Sequence, residues 1–406
     1  MTPTGRLRAR AADAAAGIAA RLADPEHVAA AAPDWSPLSL DGGHPGLALL
    51  FAELARHDPS LRAVAHAHLA AAATHLPARA GHSLYHGGPA LAFAAHTARQ
   101  APQHYAGLLE RLDPLLDAAL HRALEDEHTR LAQGRPGVPC ARYDLVSGVT
   151  GLTRLLLARQ DTHREALADA LSYLVRLTCP LSLDGEPVPG WWAPAGPGGG
   201  PDPDFPRGHV NYGLAHGISG PLAVLSAALL AGTSVPGVRR AVADLAGELL
   251  ARRTTEGGWP ALIPLERYGK EPPPPGRSAW CYGTPGVACA LHRAGQALGR
   301  PDLQRIAVDA LAADLDHPRR VTDPTFCHGR AGLLHICHTL ATASGDPRLA
   351  AHRDTLAAQL LTAHRPPGPH DHPGLLTGTA GIALALHAYA TGTPPASGWD
   401  GALLLS

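Results

Sequence analysis

FCHGRAGLLHICHTLA, Phe326 to Ala341, sets a cysteine and a histidine side by side at a Gly-x-x-Gly turn and follows them with small and apolar residues. The same composition recurs. GHPGLALLFAEL, HGGPALAFAAH, SGVTGLTRLLLA, HGISGPLAVLSAALL, YGTPGVACALHRAG and TGTAGIALALHAYA each run from a glycine turn into an apolar segment. The closing glycines stand at 46, 151, 220, 286, 332 and 381, with Ala90 in the second repeat, so the spacing runs from 44 to 69 residues. A period of that size marks a repeat architecture in which one supersecondary unit is copied along the chain.

Between these segments lie seven amphipathic ones, beginning with GRLRARAADAAAGIAARLAD and ending with RLAAHRDTLAAQLLTAH. Their charged residues return every three to four positions, the period of a surface helix. Seven inner helices thus alternate with seven outer ones, and the fold expected is all-α: an α/α toroid, with an open helical solenoid as the rival. Strand signals gather in CPLSLDGEPVPGWW, which predicts a β-hairpin. The proline- and glycine-rich stretches after it, at 193–208 and 269–278, predict long loops. The repeat resumes after both, so residues 1–406 read as a single domain with a loop and β insertion around 179–208.

Composition restricts the function. With 45% hydrophobic residues, 17% charged residues and a net charge of -1, the chain offers no basic surface for nucleic acid. No uninterrupted apolar run is long enough for a membrane span, and the N-terminus lacks the apolar block of a signal peptide. A cytoplasmic location is expected, and the six cysteines read as thiols or metal ligands rather than disulfides.

Counting back from each closing glycine gives the cysteines a role. Cys281 and Cys327 both stand five residues before it; His86, His216, Tyr282 and His328 stand four before it. In a closed ring such positions gather at one end of the axis. Cys281, Cys327 and His328 then make a Cys2His set, which holds one Zn2+ and leaves a fourth position open, as catalytic sites do. His335 and His338 offer a competing pair, but they sit inside a helix with no equivalents in other repeats and read as packing. So do Cys289 and Cys337, while Cys140 and Cys179 have no evident partner in the sequence.

SAWCYGTPG, FCHGRAG, NYGLAHGISG and YDLVSGVTG together resemble the lanthipeptide cyclase family, the LanC-type proteins, over nearly the whole chain. The resemblance implies zinc-dependent Michael addition of a peptide cysteine thiol to dehydroalanine or dehydrobutyrine, giving lanthionine or methyllanthionine. It implies a dehydrated precursor peptide as partner, a separate dehydratase, an exporter, and a stand-alone form. It assigns His216 as the acid that protonates the enolate and Arg277 as the cation that stabilises it. Asp144 is the carboxylate that orients the site, against either His216 or Arg277, and Tyr282 is a donor in the zinc pocket. The neighbouring readings are addition of glutathione or another small thiol, a scaffold that holds modified peptides, and a glycoside-processing toroid. The last would need two opposed carboxylates near the axis, where only Asp144 approaches.

Overall fold

The computed structural model describes residues 2–32, 35–76, 82–133, 135–363 and 372–406. The chain is mostly helical. In order, its helices are α1 (Pro3–Leu22), α2 (Pro25–Ala31), α3 (His44–Leu54), α4 (Arg62–Ala73), α5 (Gly88–Ala98), α6 (Ala106–Ala132), α7 (Cys140–Tyr143), α8 (Val149–Ala158), α9 (Arg164–Arg176), α10 (Ser219–Leu230), α11 (Val238–Ala251), α12 (Thr284–Leu298), α13 (Pro301–Asp316), α14 (Arg330–Ser344), α15 (Pro347–Ala363) and α16 (Thr379–Thr391). Short antiparallel pairs join β1 (His82–Ser83) to β2 (His86–Gly87), β3 (Leu181–Leu183) to β4 (Glu186–Val188), and β5 (His209–Asn211) to β6 (Leu262–Pro264).

All fourteen helices read from periodicity are present. The seven that open on a glycine turn, α3, α5, α8, α10, α12, α14 and α16, are buried almost throughout, whereas the alternating set keeps one exposed face. Two short helices, α2 and α7, are additions to that reading. The hairpin expected at 179–192 is β3–β4, closed by Asp184 and Gly185 in left-handed conformations. The β5–β6 pair was not legible: its strands have three residues each and lie about fifty residues apart, so no local alternation announces them.

The chain forms two compact units, one of residues 1–116 and 320–406, the other of residues 117–319. In the first unit α3 packs on α4, α5 and α16, α14 on α15 and α16, and α1 on α16. In the second, α8 packs on α9, α10 on α11 and α12, and α12 on α13.

One local device repeats in both units. Six residues before each closing position stands an apolar side chain, Leu40, Leu84, Leu145, Leu214, Trp280, Phe326 or Leu375, and all seven are at most 1% exposed. Full burial of one such side chain contributes about 1.5–3 kcal/mol, so each turn is anchored through its own plug. The backbone beside the plug bonds to the following repeat: Leu40 N donates to Tyr85 O, Leu145 N to Ala215 O, Phe326 N to Leu376 O and Leu375 N to Asp41 O. At four of the turns that geometry calls for glycine, whereas the second repeat closes on Ala90. A Cβ on Gly46, Gly286, Gly332 or Gly381 would stand 2.0–2.3 Å from the carbonyl oxygen of the plug residue.

Candidate active site

In the second unit, three consecutive turns bring Asp144, His216 and Tyr282 together. Asp144 lies just before α8, and its Oδ1 accepts hydrogen bonds from Ser147 N (2.6 Å) and Gly148 N (2.9 Å). The turn-capping role open to such an aspartate is therefore present. The other oxygen, Oδ2, accepts a 2.7 Å bond from His216 Nδ1, which settles the orientation of Asp144: its partner is His216. Asp144 is 2% exposed, while the His216 side chain is 39% exposed. A buried carboxylate thus holds an imidazole whose Nε2 is left for other work.

Burial disfavours the charged form of His216, but the hydrogen bond and charge of Asp144, with the charge of Cys281, outweigh it and raise the pKa above its ordinary 6.5. The His216 and Tyr282 rings lie 6.0 Å apart. Ala215 N donates to Cys281 O, which fixes the fourth turn against the fifth. Burial, only partly offset by the Asn211 bond, pushes Tyr282 up to about 12, so its hydroxyl keeps its proton. Asn211 Nδ2 donates to Tyr282 Oη at 3.2 Å, leaving that proton free to be donated elsewhere.

The turn carrying Cys281 depends on Gly283, whose φ of 97° is poorly accessible to other residues. A Cβ there would sit 1.7 Å from Arg277 O. Gly213 makes room for Tyr282: its Cβ would stand 2.7 Å from the Tyr282 ring and 2.8 Å from Cys281 O. Arg277 is half-buried at the end of the proline-rich loop, and it has no carboxylate partner among the described residues. Cys281 is 7% exposed.

Cys327 and His328 belong to the first unit. Cys327 N donates to Leu376 O at 2.8 Å, which fixes the cysteine backbone on the last repeat. Asp323 Oδ2 lies 3.5 Å from His328 Nε2, and Asp323 Oδ1 accepts from Thr325 N and Thr325 Oγ1. A carboxylate beside one ring nitrogen is the arrangement that orients a ligating histidine, leaving Nδ1 as donor. The chemistry of this turn fits a zinc ligand.

Two residues escaped the reading of the sequence. Asn211 accepts from Gly213 N at 3.0 Å besides holding Tyr282, and Asn-x-Gly ahead of the turn is the local signal that could have found it. Cys140 is also partnered: Tyr143 Oη donates to its Sγ at 3.5 Å, Asn211 Nδ2 at 3.7 Å, and His209 Nε2 lies 3.8 Å away. Burial raises the Cys140 thiol above its ordinary value, so it is a neutral packing group. His335 and His338 have structural partners as expected, Asp400 Oδ2 at 3.0 Å and Thr393 O at 3.1 Å. Cys337 donates to Leu349 O, Cys289 is buried, and His86 is exposed on β2.

Among known proteins, the model of the family described as lanthionine synthetase C-like protein matches residues 34–404. Nisin biosynthesis protein NisC of Lactococcus lactis subsp. lactis is 22% identical over 377 residues, which cover 88% of this chain and 86% of that protein. The solved structure of nisin cyclase matches with a TM-score of 0.78 at 22% identity, covering 92% of this chain and 93% of that one. Its α/α toroid is the fold class of this chain. By the extent of the family match, the chain belongs to the lanthionine synthetase C-like family.

Proposed function

We propose that this protein is a zinc-dependent lanthipeptide cyclase that joins cysteine thiols to dehydroalanine or dehydrobutyrine within one peptide, forming (methyl)lanthionine. The observation that carries the proposal is the 2.7 Å bond between buried Asp144 and half-exposed His216, one turn from Cys281 and Tyr282. NisC and nisin cyclase, which the chain resembles throughout, are named for nisin biosynthesis and cyclisation.

Cys281, Cys327 and His328 would hold the zinc, as their shared repeat register suggests, and two thiolates with one imidazole leave a position open. Zinc held there would bind the substrate thiol and lower its pKa. The remaining work belongs to the chain. As the S–Cβ bond forms, the alkene π pair moves onto an enolate, whose charge Arg277 and the Tyr282 hydroxyl would stabilise. His216 then delivers a proton from Nε2 to the α-carbon, with Asp144 holding the imidazolium. The thiol proton lost at the start balances the one added at the end. The substrate is a dehydrated precursor peptide, so a dehydratase must act first. An exporter would receive the product, and the reaction belongs in the cytoplasm.

The test is mass spectrometry of a dehydrated precursor after incubation and thiol alkylation, with and without glutathione. Cyclisation conserves mass and removes alkylatable cysteines. Glutathione adducts in place of rings would favour the small-thiol reading. Unchanged thiols and no adduct would leave only the scaffold.

A further inference from the structure

At the C-terminal end of α3, away from the glycine turns, a second group of ligand-type side chains gathers in the first unit. Glu53, His57 and His387 each offer a ligand atom, and these atoms all lie within 4.8 Å of one another. Glu53 and His57 are one helical turn apart on α3 and the turn that continues it; His387 faces them from α16. The His57 and His387 rings meet edge to face, with centroids 5.1 Å apart.

Three features set the cluster apart from ordinary surface histidines. Glu53 is 3% exposed, yet among the described residues it has no arginine or lysine partner. Its two oxygens accept only backbone N–H groups, from Ala396 (3.0 Å) and Ser397 (2.8 Å). A buried carboxylate without a counter-charge is costly, and each of its oxygens retains a lone pair. His387 Nε2 is buried with no hydrogen-bond partner among the described residues. Arg56, adjacent to His57, forms no ion pair with Glu53 among the described residues; its Nη2 donates instead to Thr97 O and Arg99 O.

We propose that Glu53, His57 and His387 form a second metal site, for a first-row divalent cation of the zinc, cobalt or nickel class, that clamps α3 to α16. Two imidazoles and one carboxylate suit such ions. Ligand atoms around one ion at bond lengths of about 2.0–2.2 Å are roughly 3–4 Å apart. The exposed His57, on a turn, has the freedom to close the remaining gap. The backbone bonds to Glu53 are the outer contacts that orient a ligating carboxylate. The site contains no thiolate, so it should hold its ion less tightly than Cys2His and fill on titration.

Co2+ titration of the full-length, chelator-dialysed protein tests the proposal through its absorption spectrum. A thiolate site gives charge-transfer absorption in the near ultraviolet; a histidine–carboxylate site gives only ligand-field bands. Two phases are expected, the second without charge transfer. His57→Ala and His387→Gln should each remove the second phase and leave the first phase and cyclisation unchanged. Wild-type protein with no second phase, or a second phase that survives both substitutions, overturns the proposal. A missing first phase with an intact second would instead count against the cysteine site alone.

Discussion

A carboxylate buried beside an imidazole does two things at once at Asp144: it caps the turn before α8 and holds the His216 ring by Nδ1. The sequence could not choose between His216 and Arg277 as its partner, since 72 positions separate Asp144 from His216 and no periodicity connects side chains across turns. The consequence for pH is specific. Asp144 raises the His216 pKa above 6.5, against burial, so the acid form persists to higher pH than in an ordinary imidazole. In its proposed role as general acid His216 must be protonated, so cyclisation should fall as pH rises through the folded-state value. Asp144→Asn removes the raising contribution and should shift that basic limb to lower pH, read from a pH–rate profile. By linkage, the stability gained from the raised value is present below the unfolded pKa and lost as pH rises through the folded one. Urea unfolding of wild type should show this loss, and Asp144→Asn should not. For the proposed Cys281, Cys327 and His328 ligand set, purified protein should retain about one zinc per chain after dialysis and Cys281→Ala should lose it. Full retention of zinc would remove Cys281 from the ligand set.

Helix and turn together form the unit that the sequence displayed best. Periodicity of three to four marked the outer helices, and small apolar runs marked the inner ones, because those patterns follow from which face meets solvent. The plug residue six before each closing glycine was not singled out, although Leu, Trp or Phe stands there in every repeat; an apolar residue beside a glycine looks ordinary until its burial is seen. The plug matters because it anchors the turn on which the functional residue stands. Gly283 shows the cost of disturbing it. Gly283→Ala would place a methyl group 1.7 Å from Arg277 O at a φ of 97°. Backbone strain of about 1–3 kcal/mol follows, and urea unfolding should show a loss at least that large, together with weaker zinc retention. Gly332→Ala, 2.0 Å from Phe326 O, should destabilise the first unit in the same way. An unaltered midpoint in both would show that the turns can relax.

At the scale of the whole molecule, fold class and family were legible because the repeat extends over nearly all of the chain and WCYG and CHG occur at the right separation. The β5–β6 pairing, the Asn211–Tyr282 bond and the surroundings of Cys140 were not, because each depends on chain segments far apart in sequence. Among the described residues no helix is long and apolar enough to cross a membrane. The account assigns separate tasks to the metal ligands and to the Asp144–His216 pair, and that separation is its central claim. The most direct measurement counts alkylatable cysteines in a dehydrated precursor after incubation with His216→Ala protein whose zinc content is determined on the same sample. The account predicts zinc equal to wild type and cyclisation slowed by ~10²–10⁴, the scale of a lost general acid. Loss of the zinc, or rings formed at the wild-type rate, would contradict it.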